Sequence, residues 1–139
     1  MTPIAQDRFA LVLGAQQLES SFEQAIFRMD ITPEHTNILG GVHGGVIFSL
    51  ADFAFASACN AGEGSFIGLQ AEIRYMAAAK DKQLIATAKR VGGTRKFAHY
   101  EVMVTDGLGN ALALFTSTAY RVARARLRVM RHRCTLYIF

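Results

Sequence analysis

Two cysteines in 139 residues, Cys59 inside an apolar stretch and Cys134 near the end, are too few for a disulfide framework. They point to a reducing compartment, and the expected location is the cytoplasm. No pair of His or Cys stands at metal-site spacing, so no metal centre is expected. There is no P-loop and no dinucleotide fingerprint, so neither a nucleotide nor a redox cofactor is implied. The first residues, Met1 to Arg8, lack a basic segment followed by an apolar run, so no secretory signal is expected.

Charge is scarce as well. Charged residues make up 19% of the chain against 51% hydrophobic, a balance that supports a real core and argues against wholesale disorder. The net charge of +4 is unevenly placed, because residues 122–139 hold five arginines (124, 126, 128, 131 and 133) and no acid. Setting these aside leaves 10 basic residues against 11 acidic ones, so residues 1–121 are close to neutral and no nucleic-acid partner is expected. The length allows one domain, taken as residues 1–121 with an N-terminal segment 1–13, followed by a basic extension 122–139. That extension reads as an extra edge strand, a basic arm for an acidic partner, or a poorly ordered tail.

Between Glu34 and Glu63 the chain carries one formally charged side chain, Asp52, in the middle of an apolar stretch. Residues 42–62 are hydrophobic enough to suggest a membrane span. Three glycines and a central Asp oppose it, since Asp at a span's centre costs about 2.5–3.5 kcal/mol on insertion scales. A buried helix over residues 44–60 is the better expectation. Val46, Ile47, Leu50, Phe53, Ala54, Ser57 and Ala58 fall at helical spacing, and Phe48 and Phe55 carry the apolar surface almost all round.

Around this helix the pattern is that of strands. Two strand-like stretches, 14–20 and 21–31, follow a short helix in 4–13, and Thr32-Pro33-Glu34 breaks the second. After Gly62-Glu-Gly64 the period becomes 2: Ile67, Leu69, Ala71, Ile73 and Tyr75 alternate with polar residues and predict a half-buried strand. Three more strands follow, through Leu84–Gly93, Tyr100–Val104 and Ala111–Arg121. Short turns predict antiparallel hairpins between consecutive strands. The fold class is α+β, a curved antiparallel sheet wrapped round one long helix. Dimerisation through the sheet would cover its open edge.

The stretch Asn37-x5-His43-Gly44-Gly45, followed by Ser49-Leu-Ala-Asp52-x-Ala54, resembles the hotdog-fold acyl-CoA thioesterases of the phenylacetate-degradation (PaaI-like) type. Tyr75-x-x-Ala78-Ala-Lys80 and the run Gly109-Asn-Ala-Leu-Ala to Ser117-Thr118-Ala-Tyr120-Arg121 extend the resemblance over about residues 14–121. Alanines replace the proline common after Tyr75, and the arginine-rich extension lies outside the family pattern.

The resemblance implies hydrolysis of an acyl-CoA or aryl-acyl-CoA by a homodimer or homotetramer with sites shared between subunits. Coenzyme A enters as part of the substrate. Asp52 is then the general base or the nucleophile, two routes that sequence does not separate. The alternative for Asp52 is a structural carboxylate satisfied by hydroxyls such as that of Ser49. The Gly44 N–H is the candidate oxyanion donor, with His43 and Asn37 as positioning groups; the alternative for Gly44 is a turn glycine that only starts the helix. Gly45, Gly68, Gln70 and Phe48 are candidate substrate contacts, with Gly68 or Gln70 placed opposite Asp52 from a neighbouring subunit. Phe55 and Phe66 are further candidates for the acyl pocket. Arg95 and Lys96, with Lys89 and Arg90, are candidate partners for the phosphates of coenzyme A, or else solvated strand-end charges. Two rival functions remain: an enoyl-thioester hydratase or dehydratase on the same fold, and a non-catalytic acyl-CoA-binding module.

Overall fold

A computed structural model describes residues 7–123. The expectations for the arginine-rich extension, residues 122–139, fall almost wholly on residues 124–139, which lie outside the described residues. The chain opens with α1 (Arg8–Leu13), whose first N–H groups at Phe9 and Ala10 donate to the Asp7 carboxylate and which stops at Gly14 in the left-handed region (φ 77°). Strands β1 (Gln16–Ser20) and β2 (Gln24–Asp30) follow, then a 3-10 turn at Pro33–His35 and the long helix α2 (Gly44–Cys59). Four strands complete the fold: β3 (Ser65–Tyr75), β4 (Gln83–Gly93), β5 (Phe97–Asp106) and β6 (Ala111–Val122).

The six strands form one antiparallel sheet in the order β1-β2-β4-β5-β6-β3. Its inner face follows from the period-2 pattern. Ala25, Phe27 and Met29 of β2, Leu84, Ala86 and Ala88 of β4, and Tyr100, Val102 and Val104 of β5 are all buried, and their neighbours along each strand are more exposed. Helix α2 lies on this face, burying Leu50, Ala51, Phe53, Ala54, Phe55 and Ala58. Among the described residues no helix is long and apolar enough to cross a membrane.

The expected enclosure of α2 is incomplete in one chain. Gly45, Ser49, Asp52 and Ala56 recur at intervals of three or four and form its least covered stripe. Strand β3 also departs from expectation in two ways. It does not form a hairpin with β4 but crosses over to pair with β6, leaving its other side as an open sheet edge. The single apolar face expected for Ile67 to Tyr75 is broken as well, because the register shifts between Gly68 and Gln70, where Leu69 has no partner. Phe66 and Gly68 stand opposite Arg121 and Ala119; beyond the bulge it is Ala71, Ile73 and Tyr75 that stand opposite the buried Ser117, Phe115 and Ala113. One inserted residue moves the inward side from even to odd numbers. Ile67 therefore falls on the outer side, and Leu69 is 55% exposed.

Candidate active site

The start of α2 is built by a small loop. His43 donates its backbone N–H to the His35 carbonyl, Thr36 bridges Val42, and Asn37 donates to the Gly41 carbonyl at 2.8 Å. Gly40, at φ 83°, makes the turn possible. The Asn37 side chain works inside this loop: its Oδ1 accepts from the N–H of Leu39 (2.9 Å) and of Gly41 (3.2 Å). Two converging N–H donors require an oxygen there, so the outer atom of the amide is the nitrogen, and it carries no hydrogen bond among the described residues. The same geometry pushes Ile38 and Leu39 into solvent.

His43 caps the helix. Its Nδ1 accepts from the Gly45 N–H at 2.8 Å, which fixes the neutral tautomer with the proton on Nε2. Gly45 is thereby a backbone donor to His43. The Gly44 N–H, at the first helical position, has no intrahelical acceptor. The donors of the loop and helix start that have no partner among the described residues include Asn37 Nδ2, His43 Nε2–H and Gly44 N–H.

Asp52 is the acceptor counterpart. It is half-buried on the open stripe of α2, and its carboxylate has no hydrogen-bond partner among the described residues. Ser49, the hydroxyl that a structural role for Asp52 would use, donates instead to the Gly45 carbonyl at 2.7 Å. Burial raises the Asp52 pKa, and the charge of Asp7 adds to the shift. The neighbouring Cys59 thiol is buried and pushed up to about 12, first by burial and then by the charge of Asp52, so it is a neutral packing group.

Asp52 opens on a cleft of about 240 Å³ lined also by Phe55, Gly68, Leu69, Gln70 and Ser117. The bulge in β3 shapes that wall. Gly68 faces Phe55, whose ring a Cβ there would meet at 3.3 Å, and the Gln70 carbonyl accepts from Ser117 Oγ at 2.5 Å. Gly68 and Gln70 line the cleft at the Asp52 of their own chain. Ser117 and Leu69 were missed by the sequence reading. An inward serine on an apolar strand face was the available signal for Ser117; the bulge that turns Leu69 outward leaves none in a regular alternation.

Other candidates fall elsewhere. Phe48 packs edge-on against Phe115, with centroids 5.3 Å apart, and does not line the Asp52 cleft. Phe66 sits beyond it, against Phe22 and under the Arg121 guanidinium. Arg95 and Lys96 are exposed in the β4–β5 turn and are not part of the cleft wall. Arg90 lies over the Phe22 ring and pairs with Glu23 at 3.7 Å. A larger cleft of about 570 Å³, between Thr32, Gly41, Val42 and Asp81, contains neither Asp52 nor Gly44. Among the described residues no cluster of His, Cys, Asp or Glu could hold a metal ion.

The architecture and the chain are matched by known proteins. The family profile described as the thioesterase superfamily matches residues 39–113, which span the end of the loop from Leu39, α2, β3 to β5 and the first residues of β6. A protein of Archaeoglobus fulgidus named "Putative esterase" is 38% identical over 117 residues, covering 84% of this chain and 76% of that protein. The acyl-coenzyme A thioesterase PaaI of Escherichia coli is 27% identical over 117 residues, covering 84% of each. The solved structure of the E. coli PaaI protein superposes with a TM-score of 0.80 over 85% of this chain and 86% of that one. The TT0310 protein of Thermus thermophilus is 32% identical, with a TM-score of 0.79 over 84% of this chain and 99% of that one. The chain belongs to the thioesterase superfamily, and it is a hotdog-fold thioester hydrolase of the PaaI-like acyl-CoA thioesterase family.

Proposed function

We propose that the protein hydrolyses an acyl-CoA, RCO–S–CoA + H₂O → RCOOH + CoASH, with Asp52 as the group that drives attack. The observation that carries this reading is the Asp52 carboxylate, half-buried, without a hydrogen-bond partner and open to a cleft. A carboxylate is desolvated in this way at a cost that structure alone does not offset. Ionised, it accepts the proton of an attacking water, or adds directly to the thioester carbonyl to give an anhydride that water then cleaves. Negative charge on the carbonyl oxygen is met by the Gly44 N–H, with His43 Nε2–H and Asn37 Nδ2 as further donors. A donor of this kind is worth roughly 10²–10³ in rate in well-studied hydrolases. The thiolate of coenzyme A leaves and takes up a proton.

The His43 tautomer favours this reaction over hydration of an enoyl thioester. A hydratase needs a base at the acyl chain, and His43 Nε2, held protonated by the Gly45 bond to Nδ1, is a donor.

The two halves of the machinery lie far apart on one helix. Gly44 and Asp52 are separated by eight residues, about 12 Å at 1.5 Å per residue. One carbonyl carbon does not reach both, so the working site pairs the Gly44 of one copy with the Asp52 of another. The open β3 edge and the uncovered stripe of α2 are the surfaces a second copy would cover. The assembly is then a homodimer or homotetramer in a reducing, cytoplasmic setting. The Asp52 cleft of one chain, at about 240 Å³, is smaller than the ~300–1,000 Å³ usual for ligand sites, as half a site would be. Phe55 in its wall suits aryl-acetyl groups such as a phenylacetyl thioester.

The test is thiol release from a panel of aryl- and alkyl-acyl-CoAs by wild type and Asp52→Ala. Release should fall ~10²-fold or more in the variant. Loss of an enoyl thioester's absorbance without free thiol would instead establish the hydratase. Sharing of the site is checked by mixing Asp52→Ala with Asn37→Ala subunits, each nearly inactive alone. Random pairing should restore about a quarter of wild-type activity, since half the dimers are mixed and each has one intact site of two. No recovery in demonstrably mixed dimers would put both groups back in one chain.

A further inference from the structure

Gly44 does not need to be glycine for its backbone conformation, because its φ is not among the positive ones in the chain. What fills the space of its missing side chain is Tyr75, at the end of β3 and 31 residues away in sequence. A Cβ on Gly44 would meet Tyr75 Cζ at 3.1 Å, its hydroxyl at 3.2 Å and Cε1 at 3.3 Å. The Tyr75 hydroxyl donates to the Gly44 carbonyl at 2.9 Å. The peptide joining Gly44 to Gly45 is therefore held at both ends, its C=O by Tyr75 and its N–H by His43 Nδ1. Beyond Tyr75 the backbone is anchored in turn, with the N–H groups of Met76 and Ala77 both donating to the Leu112 carbonyl. Two flexible glycines begin the helix, yet the plane between them has little freedom.

We propose that Tyr75 is a positioning residue for the oxyanion donor: it fixes Gly44 from the carbonyl side, while the N–H groups of Val46 and Ile47 hold the His43 carbonyl of the preceding peptide, the one that carries the Gly44 N–H, so the donor is pinned between two held planes. Glycine at 44 is then required by the tyrosine ring, and not only by the approach of substrate. The proposal rests on the thioesterase reading of this site and adds to it a side chain on the opposite structural element. A preorganised donor matters most when charge develops on the carbonyl oxygen, so loosening it lowers kcat and leaves KM in place.

The decisive variant is Tyr75→Phe, which keeps the ring and removes the hydrogen bond at a half-exposed position where folding is not at risk. The expected result is a fall in kcat of about three- to ten-fold, the range one neutral hydrogen bond supports, with KM changed less than about twofold. Its pH profile should match wild type, because Asp52 lies two turns further along α2. The Gly44 amide resonance should shift in the ¹H–¹⁵N spectrum. A second pair tests the ring: Gly44→Ala should lose thermal stability, and adding Tyr75→Ala should recover most of it by vacating the space the new methyl needs. An unchanged kcat in Tyr75→Phe overturns the proposal. If wild type releases thiol from no ester, the catalytic reading of the site fails on its own. The amide then decides the clamp, with a shift supporting it and an unmoved resonance overturning it.

Discussion

Two aspartates in this protein stand in opposite circumstances. Asp106, at the end of β5, is almost wholly covered by the turn it closes, and its carboxylate accepts four hydrogen bonds. The donors are the backbone N–H groups of Lys80, Leu108 and Asn110 and the Asn110 side chain, at 2.9–3.0 Å. Led by the Asn110 side chain, they hold its pKa down at about 2. Asp52, half-buried on α2, accepts none, and burial followed by the Asp7 charge raises its pKa. Covered carboxylates in proteins are normally satisfied. The turn satisfies its carboxylate within the chain, whereas the helix leaves the Asp52 carboxylate open to the cleft, so Asp106 serves the fold and Asp52 is the one free to meet a ligand.

That contrast predicts a double dissociation. Asp52→Asn should cut thiol release ~10²-fold or more with the fold intact, whereas Asp106→Asn should leave kcat within about twofold at a temperature where it is folded. A comparable loss of kcat in both variants, measured on protein of native circular dichroism, would erase the distinction.

Stability should move the other way. In Asp106→Asn an NH₂ faces donors that need an acceptor, which should lower Tm by roughly 5 °C or more. The stabilisation from Asp106 is present above the unfolded carboxylate pKa of about 3.9 and is lost as pH falls through its folded value of about 2. The Tm gap between wild type and variant should therefore close between pH 4 and 2. A gap that persists unchanged to pH 2 would mean that the charge is not what the turn uses.

Much of this was legible in the residues. The lone charge between Glu34 and Glu63 marked Asp52, and Asn37, His43, Gly44 and Gly45 marked the loop, because polar groups and glycines in an apolar setting leave a local signature. Helix α2 and the inner faces of β2, β4 and β5 follow from periods of 3.6 and 2. What the sequence hid depends on contacts between distant strands. The pairing of β3 with β6 skips its sequence neighbour, and the bulge at Leu69 is set by that pairing, so neither Gly68's orientation nor the bond from Ser117 to Gln70 is written locally. The Tyr75–Gly44 contact is hidden for the same reason.

The finest test of the contrast is thermodynamic. A carboxylate whose pKa is higher folded than unfolded binds its proton more tightly in the native state, so stability falls as pH rises from about 3.9 to the raised value of Asp52. Above that value the cost of the charge is present in full. Removing it by Asp52→Asn should raise Tm at pH 7, and the advantage should shrink as pH is lowered through that window, where wild-type Asp52 takes up its proton and sheds the cost. The same ionisation should appear in catalysis: log kcat/KM of wild type should climb with pH and level off at an apparent pKa above the ordinary carboxylate range. A Tm for Asp52→Asn equal to or below wild type at pH 7 would mean that Asp52 is satisfied in the assembled protein after all. With both outcomes as expected, Asp52 would be an aspartate that weakens the fold and is held in place by the reaction it performs.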